Sequence, residues 1–423
     1  MTQAAFAVLM LVIFSWVVFS DRLARWNITG PIVLMLAGFL LANPGWGALS
    51  IDVDAPSVHL IAEVTLAMLL FSDAARVDVR ALRQDVGVPV RLLVIGLPLT
   101  LLLGTLAAAL LFGDFSWALA GFVGAALAPT DAALSAQVIN DERIPMRIRR
   151  VLNVESGLND GIVTPVVVFT LAVAAAGLGG HSGGDAAIRP LLELAVGTAV
   201  GLTIGFVGAK GIAFGSRRKW ILSGGRRLAT LAAALASFSL AVALDGNGFI
   251  AAFVAGLAFG AALPRDVGQP DEVGELPELL GEVLSLGVWF LFGAALVPVA
   301  FEYFSVATVV YAVLSLTVFR MLPVALALSG TGLDRSTIWF VGWFGPRGLA
   351  SVVFALLAIE ELGGSKVVGH AISAVTFTVL LSVILHGVSA GPFGRRYAAG
   401  QNAGPPAGGA SPSPSPRSRR WIH

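Results

Sequence analysis

The sequence predicts an all-α polytopic membrane protein of about thirteen spanning helices, N-terminus outside and C-terminus inside. Three observations predict it. The chain is 57% hydrophobic and only 13% charged, with a mean hydropathy of +0.86, whereas a soluble domain carries nearer a quarter charged residues. Apolar runs of roughly 17–25 residues, long enough to cross a hydrocarbon core, recur along it. The basic residues, finally, gather on alternate connections, as cytoplasmic loops do.

Taken in order, the first run, 4–20, follows MTQ without a basic n-region, so a spanning helix is expected there rather than a cleaved signal. Runs at 29–43 (short), 57–73, 88–112 and 115–138 follow. Those at 149–176 and 188–214 are long enough to tilt. The remaining runs lie at 227–244, 247–263, 277–298, 304–328, 336–359 and 367–390. With the N-terminus outside, alternation places all of the 27 basic residues inside except Arg189, Lys210, Arg320, Arg347 and Lys366. A wrong helix count would scramble that asymmetry from the error onward.

The connections read simply. Asp245 and Asn247 in DGNG form a tight outer turn that caps a helix. The segment from Arg76 to Arg91, RVDVRALRQDVGVPVR, is amphipathic and basic and is expected along the inner leaflet. Residues 1–395 form the membrane body, and 396–423 a disordered Pro/Ser-rich cytoplasmic tail.

An odd number of spans also permits two inverted six-helix halves, helices 1–6 and 8–13, with helix 7 linking them. That arrangement pairs helix 5 with helix 12. Helix 5 is interrupted at Ala128-Pro129-Thr130 and helix 12 at Gly345-Pro346-Arg347. Proline cannot complete the helical ladder, so both helices should break there, and the breaks should cross. Interrupted helices in corresponding positions point to a transporter's site.

The chemistry lies in residues 125–161, AALAPTDAALSAQVINDERIPMRIRRVLNVESGLNDG. Asn153, Ser156, Asp160 and Thr164 form a polar stripe at helical spacing, with Glu155 and Asn159 on the adjoining face. Charged groups at membrane depth cost roughly 2.5–3.5 kcal/mol on insertion scales, and so face protein or water. Opposite the stripe, the break offers freed carbonyls and the side chains of Thr130 and Asp131. Carboxylates, hydroxyls and carbonyls make a hard oxygen cage suited to Na⁺, Li⁺ or K⁺. A single carboxylate, Asp160, could hold either a proton or a cation, and competition with alternating access suffices for exchange.

Other classes fit less well. The chain contains no cysteine, which excludes disulfides, thiolate metal sites and cysteine nucleophiles. No P-loop supplies a nucleotide-driven step, so neither a cofactor nor a nucleic-acid partner is expected. An intramembrane aspartyl protease would need a GxGD-like segment, and a channel a continuous filter of the TVGYG kind. A proton-coupled symporter of a small solute is the alternative, although no aromatic lining for such a solute is evident. Glu63 divides between an ion path and structural pairing; Glu282 is read as facing an interface or Arg265, and His370 and His386 as packing residues.

APTDAA followed by VESGLNDG, with GPRG in helix 12 and a lone arginine in VFRMLPV, resembles the signature of the NhaP/NHE-type monovalent cation:proton antiporters. The likeness covers residues 1 to about 395. It implies that Asp160 is the essential ion- and proton-carrying carboxylate. Asp131, Ser156 and Thr130 would complete the cation shell beside the Pro129 break, with Asp73 reaching it through water. Glu155 would pair with Arg320 and hydrogen-bond Asn159, and Arg347 would neutralise the carbonyl ends at the crossing. Asn159 stands where electrogenic relatives carry a second aspartate, which implies electroneutral 1:1 exchange. The resemblance further implies a plasma-membrane homodimer, with scaffold helices 1–3 and 7–10 and a moving core of helices 4–6 and 11–13.

Overall fold

The computed structural model describes residues 3–49, 55–77, 87–178, 185–268 and 273–402. Among these every regular element is helical. The helices are α1 (Gln3–Ala24), α2 (Gly30–Leu41), α3 (Pro56–Ala75), α4 (Gly87–Leu111), α5 (Trp117–Ala126), α6 (Ala136–Ile139), α7 (Met146–Leu178) and α8 (Asp185–Arg217). They continue with α9 (Ser223–Ala243), α10 (Gly248–Ala262), α11 (Glu275–Glu302), α12 (Val306–Leu316), α13 (Val318–Ala327), α14 (Arg335–Trp343), α15 (Leu349–Leu362) and α16 (Lys366–Asn402). Among the described residues, nine helices are long and apolar enough to cross a membrane by length and composition, α12 and α13 counted together. The chain is thus a multi-pass, all-helical membrane protein.

Local chemistry starts these helices where it should. Ser116 accepts from the backbone N–H of Leu119 (3.1 Å), and Ser305 from that of Thr308 (3.1 Å), capping α5 and α12. Asn247 caps α10 through the N–H of Ile250 (2.9 Å), as the DGNG turn predicts. Asp334 likewise caps α14 at Thr337. Single-turn π segments at Leu92–Gly96 and Phe292–Leu296 widen α4 and α11 just before prolines.

Packing relies on small residues. Gly197, Gly201 and Gly205 stand one turn apart on α8, and a Cβ at any of them would run into the α10 backbone at Asn247, Ala251 and Ala255. On its other face α10 sets Gly256 and Gly260 against the carbonyls of Phe71 and Ala75 in α3. In lipid there is no hydrophobic drive between helices, so close backbone approach supplies the dispersion energy. Apolar side chains on α1 and α8, among them Phe14, Leu202 and Val207, face outward and are exposed.

One detail departs from the sequence reading. α16 continues to Asn402, so residues 396–402 are helical and the boundary of the body falls beyond 395. Tyr397 explains it: its ring is buried on Phe340 at 4.0 Å between centroids, and its hydroxyl meets that of Thr337 at 2.7 Å. The expected tail beyond residue 402, and most of the amphipathic 76–91 segment, lie outside the described residues.

Candidate functional site

The site is built where two helices fail. α5 ends at Ala126, and Pro129 separates it from the single turn of α6. α14 ends at Trp343, and Gly345-Pro346-Arg347-Gly348 separates it from α15. The two breaks meet: the N–H of Asp131 donates to the Pro346 carbonyl at 2.9 Å. From the other side the N–H of Leu349 donates to Asp131 Oδ2 at 2.9 Å. Asp131 Oδ1 accepts from Ala133 (2.7 Å) and Leu134 (3.2 Å), closing the turn into α6. Ser351 Oγ adds a bond to the Ala126 carbonyl at 2.6 Å.

Arg347 stitches this crossing together. It is fully buried, and its Nη1 donates to the carbonyls of Ala128 and Pro129, both at 3.1 Å. Its Nη2 reaches the Ser315 carbonyl at 3.4 Å, freed where α12 gives way to α13 at Thr317. A cation here satisfies carbonyl ends that have lost their helical partners.

α7 supplies the opposing wall. Asn159 Nδ2 donates to Thr130 Oγ1 at 2.7 Å, and the Thr130 and Ser156 hydroxyls bond each other at 2.9 Å. All three side chains are buried. Thr164 Oγ1 donates back to the Asp160 carbonyl (2.6 Å), holding its own turn. Glu155 forms a bidentate pair with Arg320 of α13, with Nη2 to Oε2 at 2.9 Å. Both partners are almost fully buried, and Arg320 adds a bond to the Val341 carbonyl (3.4 Å).

Asp160, Asp131 and Asp73 are half-buried amid this covered neighbourhood. They lie close enough for the charges of Asp131 and Asp73 to act on Asp160. Asp73 ends α3, where its Cβ lies 3.6 Å from where a Cβ at Gly157 would stand. Among the described residues no three carboxylate or imidazole groups form a ready-made metal cluster. The available ligands are instead mixed oxygens, carboxylate beside hydroxyl and carbonyl, the set that suits a hard monovalent ion.

The structure therefore brings together Thr130, Asp131, Ser156, Asn159, Asp160 and Asp73, with Glu155, Arg320, Arg347 and Pro129 around them. It corrects one detail. Asn159 donates to Thr130 rather than to Glu155, whose carboxylate faces the Arg320 guanidinium. Asn153, the first residue of the polar stripe, is exposed, whereas Ser156 and Thr164 are buried. The sequence also missed Leu349, Ser351 and Ser382, whose contributions are a backbone N–H and two hydroxyls that no motif marks.

Other polar residues lie away from this centre. Glu63, near the opposite end of α3, lines a cavity of about 450 Å³ with Arg189, Glu193, Asn247 and Glu361. His59 Nδ1, also on α3, lies 3.0 Å from Glu360 Oε2. Arg76, capping α3, pairs with Glu278 of α11, and Glu282 feels both of those charges. His370 packs edge-on against Tyr303.

Crossed broken helices that enclose carboxylates at membrane depth define a secondary-transporter fold. Residues 8–396 match the family model of the sodium/hydrogen exchanger, transmembrane. The chain belongs to the sodium/hydrogen exchanger family. It is 30% identical over 300 residues to the Na⁺/H⁺ antiporter NhaP of Pseudomonas aeruginosa, covering 68% of each chain. It is 24% identical over 383 residues to the K⁺/H⁺ antiporter NhaP2 of a Shewanella species, strain ANA-3, covering 88% of this chain. That alignment spans only 63% of the Shewanella protein, so the chain is a good deal shorter than some relatives. The sodium proton antiporter MjNhaP1 of Methanocaldococcus jannaschii, solved at pH 8, shares the fold with a TM-score of 0.74 at 21% identity. That match covers 93% of this chain and 99% of the other.

Proposed function

We propose that this protein exchanges a monovalent alkali cation for a proton across the plasma membrane, electroneutrally and one for one, by alternating access. Na⁺ is the first choice of cation, with Li⁺ and K⁺ fitting the same oxygens; relatives named for Na⁺ and for K⁺ support that breadth. The carrying observation is the convergence of Asp160 with Asp131 and Asp73 beside the Thr130–Ser156 hydroxyl pair. Carboxylates gathered at one site repel one another. A cation among them relieves the repulsion, and in its absence a proton does so at Asp160. The site then holds one or the other on each passage.

In this reading Asp131 and Ser156 are direct ligands with Asp160, the Thr130 oxygen completes the shell, and Asp73 acts through water. Arg347 and the Glu155–Arg320 pair keep the walls fixed, and Asn159 orients Thr130 without adding charge. In the same reading each interrupted pair makes one crossing, for thirteen spans with the N-terminus outside and the C-terminus inside. Helices 4–6 and 11–13 of that count move as a core against the remainder, and two copies associate through the scaffold.

The test is dissipation of a preset pH gradient in proteoliposomes on addition of each alkali cation. Wild-type protein is expected to collapse the gradient with at least one of them. Asp160→Asn, expressed and folded, is expected to leave it intact; transport unchanged in that variant would remove Asp160 from the mechanism and the reading with it.

A further inference from the structure

We propose that His386, with Ser382, is a positioning residue that replaces the hydrogen bond lost at the break between α14 and α15. In a continuous helix the N–H of Arg347 would donate to the carbonyl of Trp343, four residues back. The break separates them, and α16 supplies a partner for each. The Arg347 N–H donates to Ser382 Oγ at 2.7 Å. The Trp343 carbonyl lies 2.9 Å from His386 Nε2, and since a carbonyl only accepts, the bond to it is made by the tautomer that carries its hydrogen on Nε2. It also accepts from the Gly345 N–H at 2.8 Å, which turns the chain out of α14. Ser382 and His386 stand one helical turn apart, so both face the gap from the same side. Their side chains are buried to 0% and 2% exposure.

The clamp is braced. The indole of Trp343 stacks on the imidazole at 5.2 Å, and its Nε1 donates to Ser389 Oγ at 3.0 Å. His386 Nδ1 rests against Ser382 itself, 2.9 Å from the carbonyl and 3.3 Å from the hydroxyl. The charged groups that act on the ring are Arg347 and Arg320. The held segment is also the one that touches Asp131, through the Pro346 carbonyl and the Leu349 N–H, both at 2.9 Å. A slackened clamp therefore reaches the cation ligand first. The transport consequence rests on the exchange reading above, whereas the geometry stands without it.

The test compares His386→Gln, His386→Asn and Ser382→Ala in full-length protein in nanodiscs. Glutamine places an amide nitrogen near the Nε2 position; asparagine is too short to reach Trp343. Two readouts are taken, hydrogen exchange of the backbone amides at 345–349 and the cation dependence of pH-gradient dissipation. His386→Asn and Ser382→Ala are expected to speed exchange at those amides and raise the cation KM roughly tenfold, the scale of one stranded buried polar group. The kcat should stay within about twofold, because Asp160 is untouched. His386→Gln is expected to stay near wild type in both. Gln and Asn variants that behave alike, whether both intact or both impaired, would overturn the clamp. If His386→Asn does not fold, unaltered amide protection in Ser382→Ala overturns it equally. Wild-type protein that dissipates no gradient with any alkali cation, while the exchange pattern holds, defeats the transport reading and leaves the clamp standing.

Discussion

Thr130 shows how tightly the site is specified at the scale of single residues. Its oxygen accepts from Asn159 and it shares a hydrogen bond with Ser156, so a carboxylate at 159, which only accepts, would turn the Thr130 hydroxyl into the donor. Asn159→Asp would also add a second buried negative charge beside Asp160. The expected outcome is charge movement coupled to exchange, read with a voltage-sensitive dye, where the wild-type protein gives none. The Glu155–Arg320 pair carries a different consequence. Arg320→Ala leaves Glu155 as an uncompensated charge in a low-dielectric interior, a loss of about 3–5 kcal/mol. Its thermal unfolding in detergent should fall well below wild type, whereas Glu155→Leu combined with Arg320→Met should recover much of the difference. The motif residues were legible from their spacing because acids and amides stand out in an apolar sequence. Ser382 and the Leu349 backbone were not, since serine is common in membrane helices and every residue has an N–H.

At the scale of elements, the glycines of Gly345-Pro346-Arg347-Gly348 have separate reasons to be there. A Cβ at Gly348 would overlap the Asp131 carboxylate, and one at Gly345 the Arg320 guanidinium. Gly348→Ala is therefore expected to reduce exchange at least tenfold with little loss of folded protein, because it strikes Asp131 rather than the core. The turn from α6 into α7 gives an acid-sensitive feature outside the membrane. Arg143 donates to both oxygens of Asp141 at 2.8 Å and holds its carboxyl below the usual carboxylate range. A depressed value in the folded state contributes stability above the unfolded value of about 3.9, and loses it as the pH falls through the folded value. Asp141→Asn should thus be less stable than wild type near neutrality, by under about 1 kcal/mol for so exposed a partner. The difference should vanish in strong acid, as followed by unfolding across pH. Prolines made both interruptions readable in advance. That Arg347 binds carbonyls from two separate breaks required the folded arrangement.

For the whole molecule, the apolar lengths and the side of the arginines argue for a single orientation. The absence of cysteine makes the test simple, since no background residue needs removal. Single cysteines at Gln3 and Gln401, near the two ends of the helical body, should label with an impermeant maleimide from opposite faces of the membrane. Labelling from the same face would refute the odd number of crossings. The packing beneath that topology depends on shape. Gly197, Gly201 and Gly205 admit the α10 backbone, and α10 in turn admits α3, which delivers Asp73 towards the site.

The sequence by itself determined the class of protein, the long apolar helices, the two broken helices and the acids that lie beside them, because in lipid every charge and every proline has an energetic reason to be where it is. The tertiary structure alone decided which oxygens pair: that Asn159 serves Thr130, that Asp131 is held by the opposite break, and that α16 supplies the bonds missing from α14 and α15. Those are contacts between residues up to 218 positions apart, and their geometry depends on how helices pack, a property that local periodicity does not encode.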